Sequence, residues 1–388
     1  MAKDPGGNAF DVVVIGAGVN GLAAAWHTAR LGARRSALVE QFRIGHDLGS
    51  SHGASRIFRC VYPDARYVRL ATRARDEEWP RLERAAGRTL LHPAPAVFFG
   101  PPGGAIDSYA RAVRDAGAPI DAVSPAEARR RAPAFRFDGA ADVLVDGTSA
   151  LIAAVETLSS LARLCREAGV DVREDTRVLA IEPRTERIDV VTDRGTLETG
   201  RVIVAAGPWI AKLLPTIASR FSGARQTIGY FALEGGEATG SLGRFPLWCY
   251  LGRDANDFYY GLPQFGRAGV KAARHVTSAV SAVSDDPDAA RIAPDEHALA
   301  DLRAFLDREL SVPVERLAGA ESCFYTNTPT EDFVIDALPG EPRIIVGAAC
   351  SGHAFKFAPL TGRILAELAL YGRSDVAELE ALRKSFAA

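Results

Sequence analysis

The chain lacks the features that mark a membrane protein, a secreted protein or a nucleic-acid-binding protein. No run of about 18 consecutive apolar residues occurs in its sequence, so we expect no membrane-spanning helix. The formal net charge is −2 and no long basic run is present, which argues against a nucleic-acid partner. The N-terminal stretch MAKDPGGNAF is polar and has no apolar core of the kind found in signal peptides.

Cysteine is scarce, and its spacing argues against two kinds of site. The cysteines are odd in number, widely scattered and free of CxxC spacing, so we expect neither a disulfide framework nor a metal site. They are Cys60, Cys165, Cys249, Cys323 and Cys350. A reducing cytosol is the compartment that suits such free thiols.

Lysine is rarer than arginine throughout the chain. The lysines are Lys3, Lys212, Lys271, Lys356 and Lys384, and every other Lys/Arg position holds arginine. An ammonium group is a compact, strongly hydrated charge with a movable pKa, unlike a guanidinium group. A lysine in the interior of this sequence therefore marks a candidate functional position, with a surface accident as the alternative.

The most informative segment is DVVVIGAGVNGLAAAWHTARLG, in which Gly16, Gly18 and Gly21 follow an apolar strand pattern and open an alanine-rich helix. Glycine at these positions permits a tight turn, close approach of the backbone to a pyrophosphate, and close packing of helix on strand. Glu40 follows 19 residues after Gly21, at the end of the next strand pattern, where it can bind an adenosine ribose. The motif predicts a dinucleotide with an ADP half, without separating NAD from FAD. A glycine turn that merely packs tightly is the alternative.

Strand, glycine turn and helix recur in the middle of the chain, where VAAGPW places Gly207 in a turn, and again at its end. A long helix is expected over Gly147–Gly169. We predict an α/β fold, with a Rossmann-like cofactor domain interleaved with an α+β substrate domain built on a mixed or antiparallel sheet. The predicted cofactor domain comprises 1–88, 148–222 and 324–388, and the substrate domain comprises 89–147 and 223–323.

Six motifs, in their order along the chain, resemble the monomeric sarcosine oxidase group of the glycine/D-amino-acid oxidase superfamily, which also includes N-methyltryptophan oxidase and pipecolate oxidase. The motifs are VIGAGVNGLAAAWHTARLG, SSHGASRIFR, VAAGPW, FYYGLPQFGRAGVKAARH, ESCFYTNTPTEDFVID and ACSGHAFKFAPLTGRIL. The resemblance runs from about Phe10 to the C-terminus. It implies FAD rather than a nicotinamide cofactor, and oxidation of a C–N bond with O2 as the final acceptor.

The resemblance implies a set of cofactor-binding residues, which are Gly16, Gly18, Gly21, Glu40, Ser51, Arg56, Gly207, Cys323, Gly352, His353 and Lys356. Cys323 matches the position that forms a thioether to the flavin, and thiolates are strong nucleophiles. A buried structural cysteine is the alternative, and Cys60 and Cys350 are rivals that lie outside the motif. Gly352 and His353 are expected to open the last helix, with amides directed at the flavin, and a simple strand-to-helix turn is the alternative.

The resemblance also implies four catalytic residues: Lys271, His275, Arg56 and Tyr260. Lys271 matches a lysine against the flavin that accelerates the reaction with O2, since a fixed cation stabilises the superoxide charge as it forms. His275 matches a position that orients the substrate amine or keeps it unprotonated, and Arg56 matches one against the flavin. A solvated lysine and a core histidine are the alternatives.

For the substrate, the resemblance implies that Arg59 and Lys356 bind a carboxylate and that Tyr260 and Tyr325 shape the cavity. An arginine fork and a lysine point charge together suit one carboxylate, although a salt bridge to a surface acid is the ordinary role of arginine. Tyr325 is equally consistent with a core aromatic residue.

These expectations point to an oxidase of a secondary amine bearing a carboxylate, of the sarcosine or N-alkyl amino acid type. Hydride transfer to flavin N5 would give an imine that hydrolyses, O2 would be reduced to H2O2, and the protein would act as a monomer. The alternative is a biosynthetic flavin amine oxidase or dehydrogenase for a larger or cyclic amine, pipecolate-like or an N-substituted glycine intermediate. A flavin-dependent nucleic-acid-modifying or redox-sensing module is the rival from another class, and the net charge of −2 argues against RNA binding.

Overall fold

A computed structural model describes residues 8–254, 257–276, 286–288, 293–348, 351–376 and 378. Cys350, Lys3 and Lys384 lie outside the described residues. The strands are β1 (Ala9–Ile15), β2 (Ser36–Val39), β3 (Ser55–Phe58), β4 (Leu91–Pro93), β5 (Ala96–Phe99), β6 (Asp121–Val123), β7 (Val143–Asp146), β8 (Ala150–Ala153), β9 (Asp171–Arg173), β10 (Val178–Pro183), β11 (Ile188–Thr192), β12 (Gly195–Val204), β13 (Ser222–Leu233), β14 (Leu247–Leu251), β15 (Phe258–Leu262), β16 (Val270–Arg274), β17 (Val314–Asn327), β18 (Val334–Leu338) and β19 (Glu341–Ala348).

The α-helices are α1 (Val19–Arg30), α2 (Ala65–Arg73), α3 (Trp79–Ala86), α4 (Ile106–Asp115), α5 (Pro125–Arg131), α6 (Ala154–Glu167), α7 (Ile210–Leu213), α8 (Glu237–Gly240), α9 (Glu296–Glu309) and α10 (Ala358–Tyr371). A π-helical turn at Ala74–Glu78 joins α2 to α3, and short 3₁₀ helices occur at Gly207–Trp209, Pro215–Arg220 and Phe355–Phe357. Within the described residues, no helix combines the length and apolar character that crossing a membrane requires.

An 8-stranded sheet forms around the glycine-rich segment, in the order β10-β11-β12-β1-β2-β9, with β19 paired to β12 and β18 paired to β19. Strand β1 pairs in parallel with β2 and β12. Val12, Val13 and Val14 are fully buried, as expected of a central strand that is covered on both faces. Helices α1, α6 and α10 cover this sheet through an apolar cluster that includes Leu22, Leu161 and Leu365.

A second 8-stranded sheet has the order β17-β13-β16-β15-β14-β5-β7-β6, and its pairs are antiparallel except for β14 with β5. Helix α9 packs on one face through Leu302, Phe305 and Leu306, and Phe305 stacks on Trp248 with ring centroids 5.6 Å apart. Strands β3, β8 and β4 make a third, 3-stranded sheet. These mixed sheets with covering helices confirm the predicted α/β class, whereas the division of the chain into two domains stays a prediction.

The expected long helix over Gly147–Gly169 is wrong in its first part, before Ala154. Residues Ala150–Ala153 form β8, and helix α6 begins only at Ala154. The segment ALIA is wholly apolar, so it suits a buried strand as well as a buried helix turn. These residues form a strand because β8 pairs with β3 on one side and with β4 on the other.

Candidate active site

A large cavity lies between the carboxyl ends of β1, β2 and β12 and the face of the second sheet. Its empty volume is about 1760 Å³, including the solvent at its mouth. The predicted site residues that line it are Gly16, Gly18, Glu40, Ser51, Arg56, Gly207, Tyr260, Lys271, Cys323, Tyr325, Gly352, His353 and Lys356. Gly21, Arg59 and His275 lie outside this lining. The position is the usual one for a ligand of an open α/β sheet.

The glycine turn after β1 is shaped by close backbone contacts. Gly16 has φ +97°, and a Cβ at Gly16 would lie 2.6 Å from the Ala205 carbonyl oxygen. A Cβ at Gly21 would lie 1.8 Å from the Gly16 carbonyl oxygen, so Gly21 serves helix packing rather than the cavity wall. The Val19 amide donates to Ser51 Oγ at 3.1 Å, across the start of α1. These contacts leave a cradle without side chains at the N-terminus of a helix, which suits a pyrophosphate.

Glu40 lies at the end of β2 with its carboxylate fixed beside that turn. Oε2 accepts from the Ala17 amide at 2.7 Å, and Oε1 accepts from the Phe42 amide at 3.0 Å. The side chain is buried, yet it lines the cavity. A carboxylate has about four lone-pair directions. Glu40 therefore retains acceptor capacity for the two hydroxyl groups of a ribose.

Arg56, on β3, folds the glycine- and serine-rich loop around its guanidinium group. Nη1 donates to the Ser55 carbonyl at 2.9 Å, and Nη2 donates to the carbonyls of Ser50, at 3.0 Å, and His52. The guanidinium carbon lies 5.4 Å from the centre of the Phe355 ring. Arg56 thus brings a fixed positive charge to the cavity wall and orders the loop that carries Ser51.

Lys271 is the second residue of β16 and is 3% exposed. Its Nζ donates to the Ser55 carbonyl at 3.2 Å. Burial, with the nearby Arg56 guanidinium, lowers the pKa of Lys271 to about 7. The alternative of a solvated strand lysine is therefore wrong, because this ammonium lies inside the cavity wall and titrates near neutral pH.

Cys323, on β17, contributes to the same cavity wall and is a free thiol. Burial raises its pKa, while the Arg56 and Lys271 charges act in the opposite direction. Thr326, three residues further along β17, also lines the cavity, and its Oγ1 is buried without a hydrogen-bond partner among the described residues. This hydroxyl is therefore available to a polar group of a ligand in the cavity.

Arg59 and Lys356 come together at Tyr62. Arg59 is 5% exposed, donates to the Val61 carbonyl, and places its guanidinium carbon 4.0 Å from the centre of the Tyr62 ring. Lys356 is 4% exposed, and its Nζ donates to Tyr62 Oη at 3.0 Å and to the His353 carbonyl at 2.7 Å. Burial, and then the Arg59 charge, lower the pKa of Lys356 well below its ordinary value. Neither cation forms an ion pair with an acid in the described part of the chain.

The sequence analysis missed Tyr62. It lies three residues after Arg59 in SRIFRCVY and 294 residues before Lys356 in the chain. Its position just beyond a predicted carboxylate-binding arginine is the signal that marks it as a candidate.

Two predicted tyrosines meet at one side of the cavity. Tyr260 Oη and Tyr325 Oη are 3.1 Å apart, and burial raises the pKa of Tyr260 to about 12. Burial, with the Tyr260 hydroxyl beside it, also raises the pKa of Tyr325. Both side chains are therefore neutral hydroxyl groups at physiological pH. Tyr325 lies in the cavity wall, so it is not merely a core residue.

The prediction that Gly352 and His353 open the last helix is wrong. They lie in a turn before the 3₁₀ segment Phe355–Phe357, and α10 begins at Ala358. Gly352 has φ +75°, a left-handed conformation that a helix start does not have, and a Cβ there would lie 2.1 Å from Tyr325 Cε2. This turn packs directly on Tyr325, and it brings His353 Nδ1 to 3.3 Å from Tyr62 Oη.

His275 follows β16 and lies behind the cavity lining rather than in it. Its ring centroid is 5.7 Å from that of Tyr325, and its Nε2 is 3.4 Å from Glu331 Oε1. Glu331 has φ +60°, and its carbonyl oxygen is 3.0 Å from His353 Nε2. Glu331, which the sequence analysis also missed, therefore contacts both histidines from the loop between β17 and β18.

The comparisons with known proteins agree with this geometry. The sequence pattern of the DAO family, described as FAD dependent oxidoreductase, matches residues 11–368. Monomeric sarcosine oxidase from Bacillus sp. (strain B-0618) is 28% identical over 375 residues, covering 94% of this chain and 93% of that protein. N-methyl-L-tryptophan oxidase from Yersinia pestis (strain Pestoides F) is 28% identical over 359 residues, covering 92% of this chain and 94% of that protein.

A solved structure of NikD, an unusual amino acid oxidase essential for nikkomycin biosynthesis, has a TM-score of 0.80 and 25% identity to this chain. The match covers 96% of this chain and 97% of the NikD chain.

The fold and cavity define a flavoprotein oxidoreductase. The chain belongs to the DAO family of FAD-dependent oxidoreductases. The resemblance read from the six motifs is confirmed, and FAD rather than a nicotinamide cofactor is the family's cofactor.

Proposed function

We propose that this protein oxidises a secondary amine that bears a carboxylate, of the sarcosine or N-alkyl amino acid type. The observation that carries this proposal is the pair of buried cations, Arg59 and Lys356, on either side of the Tyr62 contact. An unpaired buried charge is costly, and a bound carboxylate would relieve that cost. The tyrosine hydroxyl adds a neutral hydrogen-bonding group at the same place.

Glycine and carboxylate groups at the carboxyl end of the first sheet would hold the ADP half of FAD. Gly16 and Gly18 would supply backbone without side chains beside the pyrophosphate, and Ser51 closes the turn. Glu40 would accept hydrogen bonds from the ribose hydroxyl groups. Bound FAD supplies a two-electron acceptor for the hydride on the carbon next to the amine nitrogen. Gly207, Arg56, Gly352 and His353 complete the cofactor wall, and Cys323 is the residue we assign to a thioether link.

The substrate-facing residues divide the remaining work. Arg59 and Lys356 hold the carboxylate, while the Tyr260 and Tyr325 hydroxyl groups border the substrate. His275 orients the amine through Tyr325, and the amine must lose its proton before hydride can leave the carbon. The imine product hydrolyses in water to a carbonyl compound and the shorter amine.

Lys271 serves the second half of the reaction. A cation fixed in a buried wall stabilises the negative charge that appears on O2 with the first electron. A second electron and two protons then complete the conversion of O2 to H2O2. The protein is proposed to act as a monomer in the cytosol, a reducing compartment that suits a chain whose described cysteines form no disulfide bond.

The test is a peroxide assay with matched substrate pairs. Sarcosine, N-ethylglycine, pipecolate and proline would each be compared with the corresponding amide, which keeps the amine and loses the negative charge. We expect kcat/KM for the best acid to exceed that for its amide by about 100-fold, since truncating a charged partner costs several kcal/mol. Equal rates for acid and amide would contradict the carboxylate assignment.

A biosynthetic oxidase of a larger or cyclic amine is the second candidate, and the likeness to NikD, an amino acid oxidase essential for nikkomycin biosynthesis, supports the biosynthetic role. The same panel separates the two. Turnover of pipecolate with little turnover of sarcosine would select the cyclic substrate. Reduction of the bound flavin by substrate with slow reoxidation in air would instead identify a dehydrogenase.

A further inference from the structure

An acid that the proposed mechanism does not use lies beside Lys271. Glu321 is on β17, two residues before Cys323, and its side chain is 17% exposed. Oε1 accepts from Tyr230 Oη at 2.7 Å, Oε2 accepts from Arg267 Nη1 at 3.0 Å, and Lys271 Nζ is 4.0 Å from Oε1. Two fixed donors thus hold this carboxylate within reach of the buried ammonium.

The other ionisable groups around Lys271 come from several elements. Arg56, on β3, and Arg267, in the loop before β16, are positive, and both disfavour a charged lysine. His52 lies in the loop before β3, where the charge of Arg56 lowers its pKa and the charge of Glu321 raises it. Cys323 is a buried thiol. Within the described chain, Glu321 is the one acid in salt-bridge contact with Lys271.

We propose that Glu321 is the counter-ion that keeps Lys271 protonated near neutral pH and thereby sets the pH range in which reduced enzyme reacts quickly with O2. The second half of this proposal rests on the O2 role assigned to Lys271 above. Glu321 acts through Lys271 and is therefore a positioning residue.

The balance of charges supports this inference. Burial raises the pKa of Glu321, but the Lys271 ammonium, the Tyr230 hydroxyl and the charges of His52 and Arg56 together act against it, and the net shift is downward. Glu321 is consequently ionised at neutral pH. Its charge opposes the lowering of the Lys271 pKa by burial and by Arg56, and that pKa is about 7. Removing the negative charge would lower it further, because an opposite charge at this distance typically shifts a pKa by about 1–3 units.

The direct test is the titration of Lys271 in the holoenzyme, followed by NMR of protein labelled with ¹³C at lysine Cε. The sequence contains so few lysines that Lys271→Arg assigns the signal by its disappearance. In Glu321→Gln, which preserves size and one of the two accepting oxygens, we expect the titration midpoint of Lys271 to move down by about one pH unit or more. An unchanged midpoint would overturn the counter-ion role.

Glu341→Gln is the matched control, because Glu341 is also 17% exposed and ion-paired to an arginine, Arg343, but lies on β19 away from Lys271. In Glu341→Gln, the titration of Lys271 should have the same midpoint pH as in the unmodified protein. Tyr230→Phe keeps the Glu321 charge and removes one of its two donors. A smaller downward shift than in Glu321→Gln supports the proposal, and an equal or larger shift contradicts it.

A stopped-flow experiment separates this proposal from the proposed function. Reduced holoenzyme is mixed with O2 across a pH series, and the fast phase should decline at lower pH in Glu321→Gln than in the unmodified protein. If Lys271→Met reacts with O2 at the unmodified rate, the O2 role of Lys271 fails together with the second half of the proposal. The NMR midpoint still decides whether Glu321 is the counter-ion.

Discussion

The Lys356 ammonium donates a hydrogen bond to the Tyr62 hydroxyl over 3.0 Å, although 294 residues separate the two in the chain. The Arg59 guanidinium also lies over the face of the Tyr62 ring. One tyrosine therefore links both cations that we assign to the substrate carboxylate. This arrangement holds two basic side chains close together without an acid between them among the described residues.

Lys356→Gln should weaken carboxylate binding more than catalysis. We expect kcat/KM for the best acid substrate to fall by about 100-fold, mainly through KM, because a charged partner of the carboxylate is lost. The corresponding amide substrate is the control, and its kcat/KM should change by less than about 5-fold since it lacks the charge. The measurement is steady-state kinetics of both substrates with both proteins. An equal loss for acid and amide would show that Lys356 acts on folding or on the cofactor instead.

Cys323→Ala should release the flavin on acid precipitation. With the thioether in place, yellow colour stays in the protein pellet, whereas the variant should leave the colour in the supernatant. Cys165→Ala is a suitable control, because Cys165 is also a buried free thiol but lies on α6, outside the cavity lining. Colour in the supernatant of the unmodified protein, or in the pellet of Cys323→Ala, would contradict the attachment site.

The sequence predicted the parts of the site that depend on short spacing. Gly16, Gly18 and Gly21 lie within one turn, and Glu40 follows at the end of the next strand, so local pattern fixes their arrangement. Tyr62 and Glu331 were missed because their partners come from distant segments or from an unusual backbone conformation. Glu331 contacts two histidines from a backbone with φ +60°, which a glutamate seldom adopts.

The helix boundaries show the same limit. Nothing in ALIA distinguishes a strand from a buried helix turn, and the pairing of β8 with β3 and β4 is a long-range event. The turn at Gly352 depends on close contact with Tyr325, which the order of residues does not reveal. Local pattern therefore predicted the fold class, and tertiary contacts decided these details.

Gly21→Ala should damage both stability and cofactor binding. The new Cβ would lie 1.8 Å from the Gly16 carbonyl oxygen, so α1 must move away from the glycine turn. We expect the free energy of unfolding to fall by about 1–3 kcal/mol and the FAD content of the purified protein to drop. Gly147→Ala is the control, because a Cβ there meets nothing within 4 Å. Thermal unfolding and flavin absorbance provide the two measurements, and a Gly21→Ala protein with full flavin content would contradict the packing argument.

Lys271→Met should separate the two half-reactions. Reduction of the flavin by substrate should change little, whereas reoxidation by O2 should slow by about 100-fold, which is the usual cost of removing one preorganised electrostatic group. In the unmodified protein the pKa of Lys271 is about 7, so the ammonium is present below that pH and is lost above it. The rate of reoxidation should therefore fall as pH rises through 7, and Lys271→Met should show a flat profile at the low rate. Anaerobic reduction followed by mixing with O2 in a stopped-flow instrument measures each step, and a rate that rises through the same pH range would mean that the neutral amine, not the ammonium, assists O2.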